Sequence, residues 1–247
     1  RVGQPHFLGE VTDAEMYGDG EVEELVGEAI AGRRDEVFLV SKVLPHNASR
    51  RGTIRACEAS LARLGVESLD LYLLHWQGSH PLAETVEAFE ELVAAGKIGA
   101  WGVSNFDAVG LREVLALAGA GRCACNQVLY HLHERGIEVD LLPLCESEGV
   151  ALVGYSPLRP SHFPRPGTPG REALDRIAAR HPGVSPWQVA LAFLTRRASL
   201  FAIPKAVGLQ HVHDNAFAAS IDLSEGDRAE LERAFPTPRD PGRLAVL

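Results

Sequence analysis

The sequence predicts an α/β fold, a parallel (β/α)8 TIM-type barrel with an abbreviated first βα unit. Three observations carry that expectation. Short, almost wholly apolar runs alternate with amphipathic stretches, the pattern of buried parallel strands covered by helices. No GxGxxG occurs, so an open doubly wound sheet would lack its usual phosphate loop. Polar residues gather at the C-terminal ends of many different runs, at Lys42, His75, Ser104-Asn105, Gln127, Tyr155-Ser156 and Lys205, which is how a barrel assembles its site.

The elements follow in order. Only ten residues precede VTDAEMYG, where a further strand and helix of at least ~20 residues would complete a barrel. EVEELVGEAI (21–30) places Val22, Leu25, Val26 and Ile30 at helical spacing, an expected apolar face. VFLVSK (37–42), LDLYLLH (69–75), IGAWGVS (98–104), CACNQV (123–128), VALVGYS (150–156) and LFAIPK (200–205) read as strands. Between them, residues 47–64, with Ile54, Leu61 and Leu64 on one side, 81–95 and 107–118 read as helices, Asp107 serving as an N-cap. Ser185-Pro186 starts another helix with Ser as cap and Pro in the first turn. Residues 209–219 and 224–234 close the chain as helices. LRPSHFPRPGTPG (158–170) is Pro/Gly-rich and reads as a loop over the site.

Composition narrows the function. The 247 residues, 46% hydrophobic, suffice for one barrel domain spanning 1–247. The net charge of −9 argues against nucleic acid or an anionic membrane as partner. No run of about 18 apolar residues suggests a membrane span. Cys57, Cys123, Cys125 and Cys145 show no CxxC spacing and read as buried reduced thiols, which with no apolar leader in RVGQPHFLGE points to the cytoplasm. The chain starts with Arg, so its beginning is expected to have been trimmed or to be incompletely represented.

AEMYGDGEVEELVGEAI, VFLVSKV, SLDLYLLHW, GKIGAWGVSNFD, CNQVLYHL, GYSPL and AIPKA…HVHDN together resemble the aldo-keto reductase family, in family order from about residue 13 onward. YHLHERGIEVDLLP and IDLSEGDRAEL are most similar to its bacterial diketogulonate and methylglyoxal reductase-like branch. The resemblance implies a barrel that reduces small aldehydes and ketones with NADP(H), and by the family's habit a monomer. Carbonyl reduction needs a hydride on carbon and a proton on oxygen, and the protein must bring the proton. By resemblance Tyr17 is the general acid. A phenol titrates near 10, so bringing it toward 7 takes roughly 4 kcal/mol; Lys42 matches the ammonium that favours phenolate. His75 matches the residue that orients the carbonyl, and Trp76 beside it lines the substrate pocket. Singly, each has a plainer reading: a surface tyrosine, a solvated lysine, a core histidine, a packing tryptophan. Their order along the chain favours one mechanism.

The resemblance further assigns Ser104, Asn105 and Gln127 to the nicotinamide carboxamide and Tyr155 to stacking on its ring. Ser156, Pro157 and Leu158 follow the pyrophosphate, Lys205 meets the adenosine-end phosphate and Asn215 the adenine. The family's usual arginine six residues after the lysine is His211 here, without a guanidinium fork, so NADP(H) is expected to be preferred with NAD(H) possible. His131 and His133 form an HxH pair without a further ligand at zinc-like spacing, and no metal is expected.

One departure concerns the carboxylate partner of Lys42. The family places an aspartate five residues before the tyrosine; here that position is Thr12, and Asp13 stands four before. One residue of displacement in a strand reverses a side chain's face. Either Asp13 recovers the role through a local slip, or the ammonium has lost that partner. The competing functions are an NADP(H)-binding barrel with weak or no turnover, acting as a pseudoenzyme or regulatory subunit, and, on fold analogy alone, a phosphate-handling lyase or isomerase.

Overall fold

The computed structural model describes residues 9–159 and 161–247, apart from the side chains of residues 9, 10, 12, 17 and 19. The chain forms two compact units that divide between Asn126 and Gln127. In the first, β1 (Gly9–Thr12), β2 (Val37–Val43), β3 (Leu69–Leu74) and β4 (Ile98–Ser104) pair in sequence order, all parallel; β5 (Cys123–Leu129) follows, its residues up to Asn126 belonging to this unit. Helices α1 (Glu21–Ile30), α2 (Arg50–Leu64), α3 (Leu82–Ala94) and α4 (Ala108–Ala118) connect them. The strands are buried almost end to end, as their apolar runs require. Gly102 lets β4 and β5 approach closely: a Cβ there would stand 2.5 Å from the Cys125 carbonyl oxygen.

Two details of the sequence reading change. Leu25 and Val22 of α1 are exposed; the buried face is Glu23 and Ile30. Glu23 turns inward because Ser41 Oγ donates to its Oε1 at 2.7 Å and Arg63 Nε to its Oε2 at 2.7 Å. Gly27 on the same side lets α1 press onto α2, since a Cβ would meet the Leu64 carbonyl oxygen at 2.5 Å. The helix expected from residue 47 begins at Arg50: Pro45–Asn47 is a separate 3-10 turn, and Ser49 is the cap, accepting the Gly52 N–H at 3.2 Å. Asp107 caps α4 as expected, accepting the Gly110 N–H at 2.8 Å.

The second unit holds α5 (Leu141–Glu148), β6 (Ala151–Tyr155), α6 (Pro169–Arg180), α7 (Pro186–Leu194), β7 (Leu200–Ile203), α8 (Leu209–Ala218) and α9 (Glu225–Ala234). β6 and β7 are parallel, with Tyr155 level with Ile203. Ser185 and Gln188 form a full capping box at the expected start of α7. The long loop ends earlier than its composition suggested, because Thr168 accepts the Arg171 N–H at 3.3 Å with Pro169 at the first helical position. The four cysteines are free and buried. Among the described residues no helix is long and apolar enough to cross a membrane.

Candidate active site

In the first unit the site grows from three strand ends. Lys42, on β2, is 1% exposed, and its Nζ donates to the main-chain oxygen of Asp13 at 2.7 Å. His75 follows β3, its N–H bonded to the Val43 oxygen at 3.0 Å. Asn105 follows β4 in the left-handed region at φ 63°, a conformation asparagine tolerates. There its Nδ2 donates to the His75 main-chain oxygen at 3.0 Å and to Ser104 Oγ at 3.2 Å. Lys42, His75, Ser104 and Asn105 therefore form one bonded neighbourhood across β2, β3 and β4. The half-exposed Trp76 leans on His75, with ring centroids 4.8 Å apart at 59°.

Burial pushes His75 down to about 4, and the Lys42 charge pushes the same way, so the imidazole is neutral at pH 7. A neutral imidazole presents one N–H donor and one acceptor, the form suited to holding a carbonyl oxygen.

The register decides how Asp13 sits. Thr12 is level with Val40, and the Asp13 N–H continues the ladder to the Val40 oxygen at 2.8 Å. With no slip, position 13 falls on the face of Ser41 and not on that of Val40 and Lys42. The Asp13 carboxyl is buried, accepts the Ala14 N–H at 2.7 Å through Oδ1, and has no hydrogen-bond partner at Oδ2. Burial raises its pKa and the Glu23 charge adds to that, outweighing the Ala14 N–H bond and the Lys42 and Arg63 charges that pull it down. Tyr17 opens the 3-10 turn Tyr17–Gly20; its side chain and that of Thr12 lie outside the described residues.

In the second unit Gln127 is buried on β5, while Tyr155, at the end of β6, accepts the Tyr130 N–H at 3.3 Å through its main-chain oxygen. Ser156 turns the chain at φ 55°, leading into the buried Pro157 and half-buried Leu158. Lys205 is exposed beyond β7; His211 and Asn215 lie one turn apart on α8. Gln188 Nε2 anchors that helix through the Asp214 oxygen at 3.1 Å. His131 and His133 contact each other, the His133 N–H donating to His131 Nδ1 at 3.3 Å.

Sequence reasoning missed Glu15 and the Glu23–Arg63 pair. The phase 23, 26/27, 30 in α1 carried the signal for Glu23, hidden by reading only apolar residues as inward.

Parallel βα units with a buried ammonium and a neutral imidazole at neighbouring strand ends fit the barrel-type carbonyl oxidoreductase that the sequence resembles. The chain belongs to the aldo/keto reductase family, whose model matches residues 12–235. It is 48% identical to the methylglyoxal reductase YeaE of Escherichia coli over 96% of this chain and 83% of that protein. It is 34% identical to the glyoxal reductase of Bacillus subtilis over 83% and 73%. An aldo-keto reductase from Klebsiella pneumoniae, crystallised with NADPH, superposes with a TM-score of 0.90 at 46% identity, over 98% of this chain and 85% of that one. These matches show the fold class that the sequence predicts.

Proposed function

We propose that this chain reduces small aldehydes and 2-oxoaldehydes of the methylglyoxal kind with NADP(H), with Tyr17 as proton donor. The observation that carries the reading is the buried Lys42 ammonium on the Asp13 carbonyl, with a neutral His75 at the end of the adjacent strand. The similarity to the methylglyoxal and glyoxal reductases supports the substrate class, and the Klebsiella structure with NADPH supports the cofactor. The family model across residues 12–235 supports a single barrel domain. A monomer acting in the cytoplasm completes the proposal.

The donor set suits such a cofactor. In the first unit the buried Ser104 hydroxyl and half-buried Asn105 amide fit a carboxamide; in the second the buried Gln127 amide does the same, the half-exposed Tyr155 ring offers a flat face, and exposed Lys205 and His211 fit phosphate charge. Ser156, Pro157 and Leu158 would border the pyrophosphate, Asn215 the adenine, and Trp76 the substrate. NADPH supplies the hydride when bound. The chain's own residues handle the oxygen. His75 donates an imidazole N–H to the carbonyl oxygen and fixes its direction. Tyr17 Oη gives its proton to that oxygen, and the Lys42 ammonium steadies the phenolate left behind. Asp13 holds Lys42 through its main-chain oxygen.

The test is NADPH oxidation with methylglyoxal. Turnover is expected, with Lys42→Met and Tyr17→Phe each lowering kcat by about 10²–10⁴, the span of general-acid contributions. NADPH binding by fluorescence without turnover in the wild type would instead support the cofactor-binding barrel.

A further inference from the structure

We propose that Glu15 is a positioning residue that sets the proton-donor turn against the strand carrying Lys42; this rests on reading Tyr17 as the proton donor. Glu15 lies two residues before Tyr17, half-buried. Its Oε1 accepts the Leu44 N–H at 2.6 Å and Asn47 Nδ2 at 3.1 Å. Leu44 lies two residues after Lys42. One carboxylate oxygen thus joins the segment delivering Tyr17 to the strand end delivering Lys42.

The ladder cannot do this alone. β1 ends at Thr12, and the Glu15 N–H reaches the Lys42 oxygen only at 3.4 Å, long for such a bond. Pro45, next on the β2 side, has no N–H to extend the pairing. The Leu44 N–H is therefore the last donor of that strand end, and the Glu15 carboxylate takes it. Bonds to an ionised acceptor are about twice as strong as neutral ones.

The anchor itself is braced from behind. A Cβ on Gly78 would stand 2.6 Å from Pro45 Cβ, so only glycine lets that loop close on the turn. His80 Nε2 contacts the His46 carbonyl oxygen at 3.2 Å. Thr85 Oγ1 donates to the Ala48 oxygen at 2.7 Å. A reacting group two residues from a braced anchor is held in place; without the tether, the turn can shift relative to Lys42, and a displacement of about 1 Å costs ~10²-fold in rate.

The experiment compares single variants in the NADPH-coupled assay. Glu15→Ala should lower kcat by roughly 10–100-fold, with NADPH affinity by fluorescence titration unchanged within about 2-fold, because it touches no cofactor group. Glu15→Gln keeps a carbonyl oxygen for the Leu44 N–H and should recover kcat to within about 3-fold of wild type. Asn47→Ala, losing one of the two bonds, should fall between, and combining it with Glu15→Ala should add little. The proposal is overturned if Glu15→Ala keeps wild-type kcat, if Glu15→Gln is as slow as Glu15→Ala, or if the loss only tracks the folded fraction in thermal melts. Tyr17→Phe separates the two ideas. If it retains full turnover, the proton-donor reading and the brace both fall; if it is inactive while Glu15→Ala is normal, only the brace falls.

Discussion

Glu138 and Asp13 are both carboxylates taken out of water, one in each unit, and they are treated oppositely. Glu138, with a side chain 9% exposed, accepts Tyr130 Oη at 2.6 Å, Arg135 at 2.8 and 2.7 Å, and Arg196 at 2.7 Å. Both guanidiniums also lie over the Phe193 ring, at 5.0 and 4.1 Å from its centroid, and both reach Glu232. Burial works against the Glu138 charge, but the Arg135 and Tyr130 bonds and the Arg196 charge hold its pKa below the usual range. Asp13 accepts one main-chain N–H and nothing at Oδ2, and its pKa goes up. A saturated network spends its ionic groups on holding elements together. An unsaturated one leaves them electrostatically uncomfortable, the condition that perturbs neighbouring groups at functional sites.

The comparison breaks first at Glu138. Glu138→Ala leaves two guanidiniums facing a lost acceptor, and removing one partner of a buried network costs about 3–5 kcal/mol. Urea unfolding should show that loss, while kcat of the folded fraction stays near wild type. A loss below about 1 kcal/mol would mean the network is no more than surface pairing.

A second, smaller effect is pH-dependent and acts in both units. His75 titrates at about 4 when folded against 6.5 when free, chiefly through burial and then through Lys42. As pH falls, the unfolded chain takes the proton first. The stability is therefore complete above 6.5 and lost progressively between 6.5 and about 4, amounting to about 3 kcal/mol. His131 in the second unit, also held down to about 4 by burial and by its histidine and arginine neighbours, adds a loss over the same window. Asp13 has the opposite sign: its raised carboxyl takes a proton more readily when folded, which offsets part of the decline as pH falls. Denaturant midpoints from pH 7 to 4 should flatten in both His75→Gln and His131→Gln. An unchanged slope in His75→Gln would show that the imidazole is not held neutral by its burial.

Both fold and site were legible where one residue's type decides the structure. β4 and α1 have the ends their sequences predict, and Ser185-Pro186 starts its helix where a hydroxyl acceptor and a fixed φ demand it. Two short segments escaped. α5, LLPLCESE, carries an internal Pro that masks its period, and α6 sits behind a Pro/Gly-rich run that reads as loop until Thr168 caps it. In the site, Lys42 and His75 announce themselves as polar ends to apolar runs. Glu15 and Glu23 do not, because a carboxylate in an acidic stretch looks solvated until a distant Leu44 N–H or Arg63 is seen to meet it. Such partners lie about 30 to 40 residues away, beyond any local periodicity.

The smallest effect tests the exchanged pair at 12 and 13. If the Asp13 carboxylate neutralised Lys42, two unit charges about 4 Å apart would interact by about 4 kcal/mol at an effective dielectric of about 20, and Asp13→Asn would slow turnover well over tenfold. The structure points elsewhere. The Asp13 group bonded to the Lys42 ammonium is the main-chain oxygen, which any residue supplies, and the register sets position 13 on the Ser41 face. Asparagine keeps the shape and an acceptor for the Ala14 N–H, and it removes a buried charge that sits beside Glu23. Asp13→Asn is therefore expected to leave kcat within about 3-fold and to leave stability unchanged or raise it by up to ~1 kcal/mol, since burying a carboxylate with one oxygen lacking a hydrogen bond is unfavourable. Replacement by proline would be a different experiment, because it removes the N–H that continues the ladder to Val40. A tenfold or greater loss in Asp13→Asn would show that the carboxylate reaches the ammonium during turnover, and the contrast with Glu138 would then be one of geometry alone.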